Sequence, residues 1–168
     1  DMETETSSVF ATGLRNTVFM AINPVAGSVW GTDNGRDLIG DDLPPDDVNI
    51  IVQGKDYGWP ICYGDRVHDT DFDKKHYVRD PCADTEPPHI ALQAHSAALG
   101  LAFIPEEGWP SEMGNDLLIA FHGSWNRSEI TGYKVVRYDL DSKGNATGGP
   151  IDFVTGFLPA GGDRDSAI

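Results

Sequence analysis

The stretch Thr32-Asp33-Asn34-Gly35-Arg36-Asp37-Leu38-Ile39-Gly40-Asp41-Asp42-Leu43-Pro44-Pro45-Asp46-Asp47-Val48-Asn49 decides how this 168-residue chain is read. An apolar strand containing Val29 and Trp30 runs into it, and Val48, Ile50, Ile51 and Val52 lead out of it as a second strand. Asp33-Asn34-Gly35 is turn sequence, because Asn and Gly accept positive φ. A tight hairpin needs only about two loop residues. This connection is far longer, and five of its residues from 37 to 47 are aspartates. Long polar loops on rigid strands are where binding and catalytic groups concentrate. The loop reads as one wall of a ligand or metal site, with solvated or turn-capping aspartates as the alternative.

Outward from this loop, short apolar and β-branched runs recur at 9–12, 17–22, 28–32, 48–52, 89–92, 99–104, 117–121, 133–140 and 151–154, separated by Gly, Pro, Asn and Asp. With 19 Gly and 11 Pro, the chain favours strands and turns over helices. A weak repeat is present. Met20-Ala21-Ile22-Asn23-Pro24 parallels Leu101-Ala102-Phe103-Ile104-Pro105, an offset of 81 between prolines (105 − 24), and Phe10-Ala11-Thr12-Gly13-Leu14 echoes Phe153-Val154-Thr155-Gly156-Phe157. Short strands in a four-beat repeat indicate an all-β fold of four-stranded antiparallel propeller blades. The length fits one domain, and the polar, Pro-containing stretch at about 54–88 reads as an ordered insertion.

In a four-stranded meander a-b-c-d, the d-to-a and b-to-c connections share one face. That rule places four polar clusters together: residues 13–16 (d–a), 33–47 (b–c), 94–96 (d–a) and 122–127 (b–c). The opposite connections are ordinary turn sequence. On the shared face, Arg15 and Arg127 offer planar forks for carboxylates. Asn16, Asn34 and Asn126 offer amides. His95 and His122 can donate, accept or shuttle protons, and Trp125 can stack on a planar ring. Backbone carbonyls around Gly35-Arg36 suit Ca²⁺, which takes oxygen ligands. Together they suit a flat polyanionic cofactor held through a hard cation. Each has an ordinary alternative: Arg15 paired to a loop aspartate, His95 a satisfied structural histidine, Trp125 part of the core.

The net charge of −15 opposes binding to phosphate backbones, so nucleic acid is not an expected partner. It suits divalent cations, an extracytoplasmic enzyme, a high-salt setting or simply a soluble surface. No apolar run approaches a membrane span of roughly 18 residues. No leader sequence opens the chain, which reads as mature, trimmed or internal. Cys62 and Cys82 lack CxxC spacing, which argues against zinc. A disulfide, implying an oxidising compartment, is the preferred reading, with two buried thiols as the alternative. Asp69, Asp71 and Asp73 begin like a calcium loop, but Lys74 stands where its Gly belongs and the closing Glu is missing.

At these residues the sequence resembles the glucose/sorbosone dehydrogenase family, soluble pyrroloquinoline-quinone (PQQ) sugar dehydrogenases built on six-bladed β-propellers, and within it the L-sorbosone dehydrogenase-like branch. The resemblance rests on Ala11-Thr12-Gly13-Leu14-Arg15-Asn16, Thr32-Asp33-Asn34-Gly35-Arg36-Asp37, Gly40-Asp41-Asp42-Leu43-Pro44-Pro45-Asp46, Tyr57-Gly58-Trp59-Pro60, Ala94-His95-Ser96-Ala97, and Phe121-His122-Gly123-Ser124-Trp125-Asn126-Arg127 with Gly132-Tyr133-Lys134-Val135. It implies that residues 1–168 form a single partial propeller domain of about two blades plus edges, the C-terminal portion of a whole, with the remaining blades in the same or another chain. It further implies that Arg15, Asn16 and Asn34 contact PQQ, and that His122, Trp125, Asn126 and Arg127 lie on a cofactor-facing loop. The carbonyls of Gly35 and Arg36 would bind the Ca²⁺ that bridges to PQQ. Asp47 and Tyr57 fall where some relatives hold a second, structural Ca²⁺, Asp47 replacing a longer Glu. Arg164 falls near the family's further cofactor arginines. The family's general-base histidine lies upstream, so none of the five histidines here takes that role. The implied function is oxidation of an aldose or sugar aldehyde with an external electron acceptor, in the periplasm or outside the cell, the segment alone being inactive. The alternatives are a calcium-dependent propeller hydrolase of lactonase type and a non-catalytic propeller that binds sugar or protein.

Overall fold

A computed structural model of the chain describes residue 3, residues 5–163, and residues 165 and 167. Its strands, in order, are β1 (Thr17–Ile22), β2 (Val29–Asp33), β3 (Asp46–Ile51), β4 (Cys62–Tyr63), β5 (Val67–His68), β6 (Ile90–Leu92), β7 (Ala98–Phe103), β8 (Leu117–Phe121), β9 (Lys134–Tyr138) and β10 (Ile151–Val154). A 3-10 turn, Ser111–Met113, interrupts the link before β8. β1, β2, β3 and β6 form one four-stranded antiparallel sheet, and β7 to β10 form another. These are two adjacent propeller blades, with β1 and β7 as equivalent first strands. The 81-residue repeat is therefore one blade together with the long excursion between β3 and β6. Among the described residues no helix is long and apolar enough to cross a membrane.

Strand register explains the packing. β2 and β3 pair Trp30 with Ile50, Thr32 with Val48 and Asp33 with Asp47. Side chains alternate across a sheet, so Trp30, Val48 and Asp46 share one face while Asp33 and Asp47 share the other. The Trp30 face closes on the second blade. Trp30 and Val48 join Ile90, Leu92, Ala98, Leu117, Ile119, Phe121, Val136 and Tyr138 in one buried core. The Trp30 ring meets His89 at 4.7 Å and Phe103 at 5.3 Å, both edge-on. This packing makes the blade boundary rigid. The opposite face of blade one presents an apolar groove lined by Val9, Phe10, Leu14, Met20, Val29 and Ile51.

Residues 9–12 do not form a strand. They pair only through a bridge between Thr12 and Asp56, because hydrogen bonds from Gly54 to Phe10 and from Thr12 to Lys55 bind this segment to the turn after β3. Within the excursion, β4 and β5 form a small hairpin, and Cys62 and Cys82 are joined in a disulfide with their Cα atoms 5.8 Å apart.

Candidate functional site

Four connections meet at the blade boundary: the turn before β1, the acidic loop between β2 and β3, the turn between β6 and β7, and the loop between β8 and β9. Arg15 and Asn16, Asn34 and Gly35, His95, and finally His122, Trp125 and Asn126, one group from each connection, line a single cleft of about 300 Å³. Trp125 is 61 % exposed at its rim rather than packed in the core.

The Arg15-Asn16 turn is held from below. Gly13 has φ +73°, and a Cβ there would lie 2.1 Å from Asp56 Oδ1 and 2.4 Å from the Gly58 nitrogen, so only glycine fits. The buried Asp33 carboxylate accepts the backbone N–H of Arg15 at 2.9 Å and also that of Asn16. Burial pushes the Asp33 carboxyl up, and these two N–H donors oppose that rise. The Arg15 guanidinium then reaches across the cleft. Its Nη1 donates to the carbonyls of Asn34 and Gly35, each at 3.0 Å, its Nη2 lies 3.6 Å from Asp37, and its Cζ sits 5.4 Å from the centre of the Trp59 ring.

The acidic loop is latched to the second blade. Asn126 Nδ2 donates to Asp37 Oδ1 at 3.1 Å and lies 3.3 Å from His95 Nδ1. His95 Nε2 lies 2.8 Å from the Gly40 carbonyl and 2.9 Å from that of Leu43. Two carbonyl acceptors require the hydrogen on Nε2, which leaves Nδ1 to accept from Asn126. Arg127 is directed away from the cleft lining: its Nη1 donates to the Asp41 carbonyl and to Asp42 Oδ1, and the Ser128 N–H donates to Asp41 Oδ1 at 3.1 Å. Asp37, Asp41 and Asp42 thus spend their charge and carbonyls on tethering the loop.

The candidate metal ligands divide. The Gly35 carbonyl faces the cleft through Arg15, and the Gly35 N–H is fixed by Asp46 Oδ1 at 3.0 Å. For Arg36 the candidate ligand is the carbonyl, and its side chain is spent elsewhere, leaving the cleft to grip Asp69 as a bidentate pair, with Nη2–Oδ1 at 2.9 Å. Asp47 lies beside Asp33 on the far face of β3, with its Oδ1 buried and lacking a hydrogen-bond partner. Burial, with the Asp33 and Asp46 charges adding to it, pushes its carboxyl up to about 8. The Tyr57 hydroxyl accepts from the Val52 N–H at 2.9 Å and donates to the Ile50 carbonyl, toward the other end of β3 from Asp47. The three aspartates of the insertion are divided among different partners. Asp69 pairs with Arg36, Asp71 is largely exposed, and Asp73 bonds His68 and Tyr77. Among the described residues no group of three or more His, Cys, Asp or Glu side chains is arranged to hold a metal. Arg164 lies outside the described residues.

The sequence reading did not identify Asp33, Asp46, Trp59 or the Asn34 carbonyl as parts of the site. Strand alternation offers the signal for Asp46: with Asp47 paired to Asp33 on one face of the sheet, its neighbour Asp46 falls on the other, cleft side.

Residues 2–155 match the family model described as TrAA12-like. A protein of Borreliella burgdorferi described as uncharacterized is 36 % identical over 160 residues, covering 94 % of this chain and 41 % of its own length. A calcium structure of the Trichoderma reesei carbohydrate-active enzyme of family AA12 superposes with a TM-score of 0.66 at 24 % identity, over 86 % of this chain and 41 % of that one. The holo form of the pyranose dehydrogenase PQQ domain from Coprinopsis cinerea gives 0.66 at 22 % identity, over 86 % and 44 %. The chain thus spans about two-fifths of the length of these proteins.

Proposed function

Since the chain belongs to the TrAA12-like family, we propose that it is the cofactor- and calcium-binding segment of a PQQ-dependent oxidoreductase acting on an aldose or sugar aldehyde. One observation carries this reading: loops from two neighbouring blades bring Arg15, Asn16, Asn34, His122, Trp125 and Asn126 around one cleft. Calcium and PQQ stand in the descriptions of two structures that share the fold. The donor set suits both. The Asn34 and Gly35 carbonyls already converge on one cationic nitrogen, each 3.0 Å from it, and calcium takes such neutral oxygens. An acidic planar ligand finds a guanidinium, amides and an exposed indole. When bound, PQQ accepts the substrate's two electrons and calcium supplies polarising charge.

This chain's own residues would bind and orient. Asp33 fixes the Arg15-Asn16 backbone, Asp46 fixes Gly35, and the His95–Asn126–Asp37 bridge keeps the cleft walls at constant separation. Arg15 offers charge-assisted hydrogen bonds to a carboxylate, and Trp125 covers the open side. The general base, the electron acceptor's seat and the other blades belong to the rest of the protein. The apolar groove beside Met20 and Ile51 fits the preceding blade. The disulfide supports a periplasmic or secreted location. A hydrolase whose metal is held by side-chain carboxylates is less well supported, because the cleft's carboxylates, Asp37 and Asp46, are engaged by Asn126 and the Gly35 N–H, and no group of three or more His, Cys, Asp or Glu side chains is arranged to hold a metal among the described residues. The test is PQQ titration, with calcium, of the protein that carries this segment. A quinone absorbance change on adding aldose, abolished by EDTA, is expected, and failure to bind PQQ at micromolar concentration overturns the reading.

A further inference from the structure

Arg15 is more than a ligand-binding arginine in waiting. Its Nη1 lies 3.0 Å from both the Asn34 and Gly35 carbonyl oxygens, so one positively charged nitrogen occupies the point on which two backbone dipoles converge. Nearby, Asp37 sits 3.6 Å from Nη2 and the Trp59 ring supports the guanidinium carbon at 5.4 Å. A divalent cation on the Gly35 oxygen would approach it to roughly 2.3–2.6 Å. That leaves no room for a like-charged nitrogen on the same oxygen, and the repulsion at such separations is large in a partly desolvated cleft.

We propose that Arg15 is the resident cation of this cleft, competing with calcium for the Gly35 carbonyl, so that metal binding requires the guanidinium to leave. This rests on the calcium reading above and deepens it. The released fork has one direction in which its charge is welcome, toward an anionic ligand in the cleft. The cation and a carboxylate ligand therefore bind with positive coupling: the metal frees Arg15, and the ligand's carboxylate gives Arg15 a new partner. Each tightens the other by the same factor, because linkage is reciprocal. The backbone of Arg15 need not move, since its N–H stays on Asp33, and the side chain alone makes the exchange.

Calorimetric titration of calcium into the protein that carries this segment, freed of PQQ, is the test, using wild type, Arg15→Ala and Arg15→Lys, with folding checked by circular dichroism. Arg15→Ala is expected to bind calcium about tenfold or more tightly than wild type, within the usual range of coupling energies. Arg15→Lys, which keeps the charge, should stay near wild type. In wild type, calcium should also change the fluorescence of Trp59 as the guanidinium leaves its ring. That change should vanish in Trp59→Phe and in Arg15→Ala. A second titration with PQQ present should tighten calcium binding in wild type by a larger factor than in Arg15→Ala, which keeps only the coupling that comes from direct contact between cation and ligand. Equal or weaker calcium binding by Arg15→Ala overturns the competition while leaving the calcium site standing. Absence of calcium binding in every variant overturns the calcium reading and this proposal with it.

Discussion

Arg36 links the cleft to the insertion, and breaking that link has a predictable cost. Its guanidinium grips Asp69 with two nitrogens, and the two side chains are 15 % and 5 % exposed. Asp69 also accepts the N–H groups of Asp71 at 3.2 Å and Phe72 at 3.0 Å. Removing one partner of a buried pair leaves an uncompensated charge, typically worth about 3–5 kcal/mol. Because Asp69 would keep its two backbone donors, Arg36→Ala should cost about 3 kcal/mol, the lower end of that range. The exposed pair Arg79–Asp84, at 78 % and 89 % exposure, is the internal control. Arg79→Ala should cost no more than about 0.5 kcal/mol. Replacing both buried partners, Arg36→Met with Asp69→Leu, should recover only part of the loss, since it removes both desolvated charges but leaves the Asp71 and Phe72 N–H groups without their acceptor.

Urea unfolding monitored by tryptophan fluorescence measures these differences as midpoint shifts at constant slope. The pH dependence has a definite sign. Arg36 beside it holds the Asp69 carboxyl below its ordinary 3.8. A carboxyl depressed by folding stabilises the fold above its unfolded value, and that contribution is lost as pH falls through the lower folded value. The gap between wild type and Arg36→Ala should therefore be full at neutral pH and close on acidification below about pH 4. An Arg36→Ala cost indistinguishable from that of Arg79→Ala, or a gap unchanged by acid, would refute the burial argument.

Three further outcomes are expected. Without divalent cations, Asp47, whose carboxyl is raised to about 8 from 3.8, should make wild type lose stability as pH rises between those values, by at most about 1.4 kcal/mol per pH unit; Asp47→Asn should remove that slope in pH-dependent unfolding. Replacing Cys62 and Cys82 by serine opens a loop of separation 20 and should cost about 3 kcal/mol, read as a lowered melting temperature that reductant no longer affects. Gly13→Ala forces a Cβ to within 2.1 Å of Asp56 Oδ1; it should weaken PQQ binding more than Gly27→Ala, whose Cβ meets nothing within 4 Å despite a similar φ, as measured by paired PQQ titrations.

The blade order was legible because alternation and turn residues act locally. The strands around Trp30 and Val48, and those around Ile119 and Val136, declare themselves by β-branched and apolar residues between Gly, Pro and Asn. Given four-stranded meanders, the convergence of the turns at 13–16, 33–47, 94–96 and 122–127 follows from strand direction alone. What each charged residue does was far less legible, because its partner lies far along the chain. Asp69 is 33 residues from Arg36, and Asp41 is 86 from Arg127. Only packing decides such pairs. Residues 9–12 show the same limit at the backbone: their apolar composition suits a strand, but a strand needs a partner along its length, and the turn at 54–57 supplies only a bridge.

These long-range pairs account for the acidic loop. Its aspartates first suggest a metal site built from carboxylates, yet Asp37, Asp41 and Asp42 are engaged by Asn126, Ser128 and Arg127, while Asp46 holds the Gly35 N–H. The negative charge therefore works at second hand. It ties a long loop to a neighbouring blade, and that tie fixes the short turn at 34–35 whose neutral carbonyls face the cleft. A loop of this length has many conformations to lose. Anchoring it at His95, Asn126 and Arg127 removes that freedom before any ligand arrives, which is the condition for tight binding by a site made of backbone oxygens. Arg127→Ala should therefore weaken the calcium binding proposed for the Asn34–Gly35 turn although Arg127 stands outside the cleft lining, and an unchanged affinity in calorimetric titration with calcium would show that the turn holds its shape without the latch.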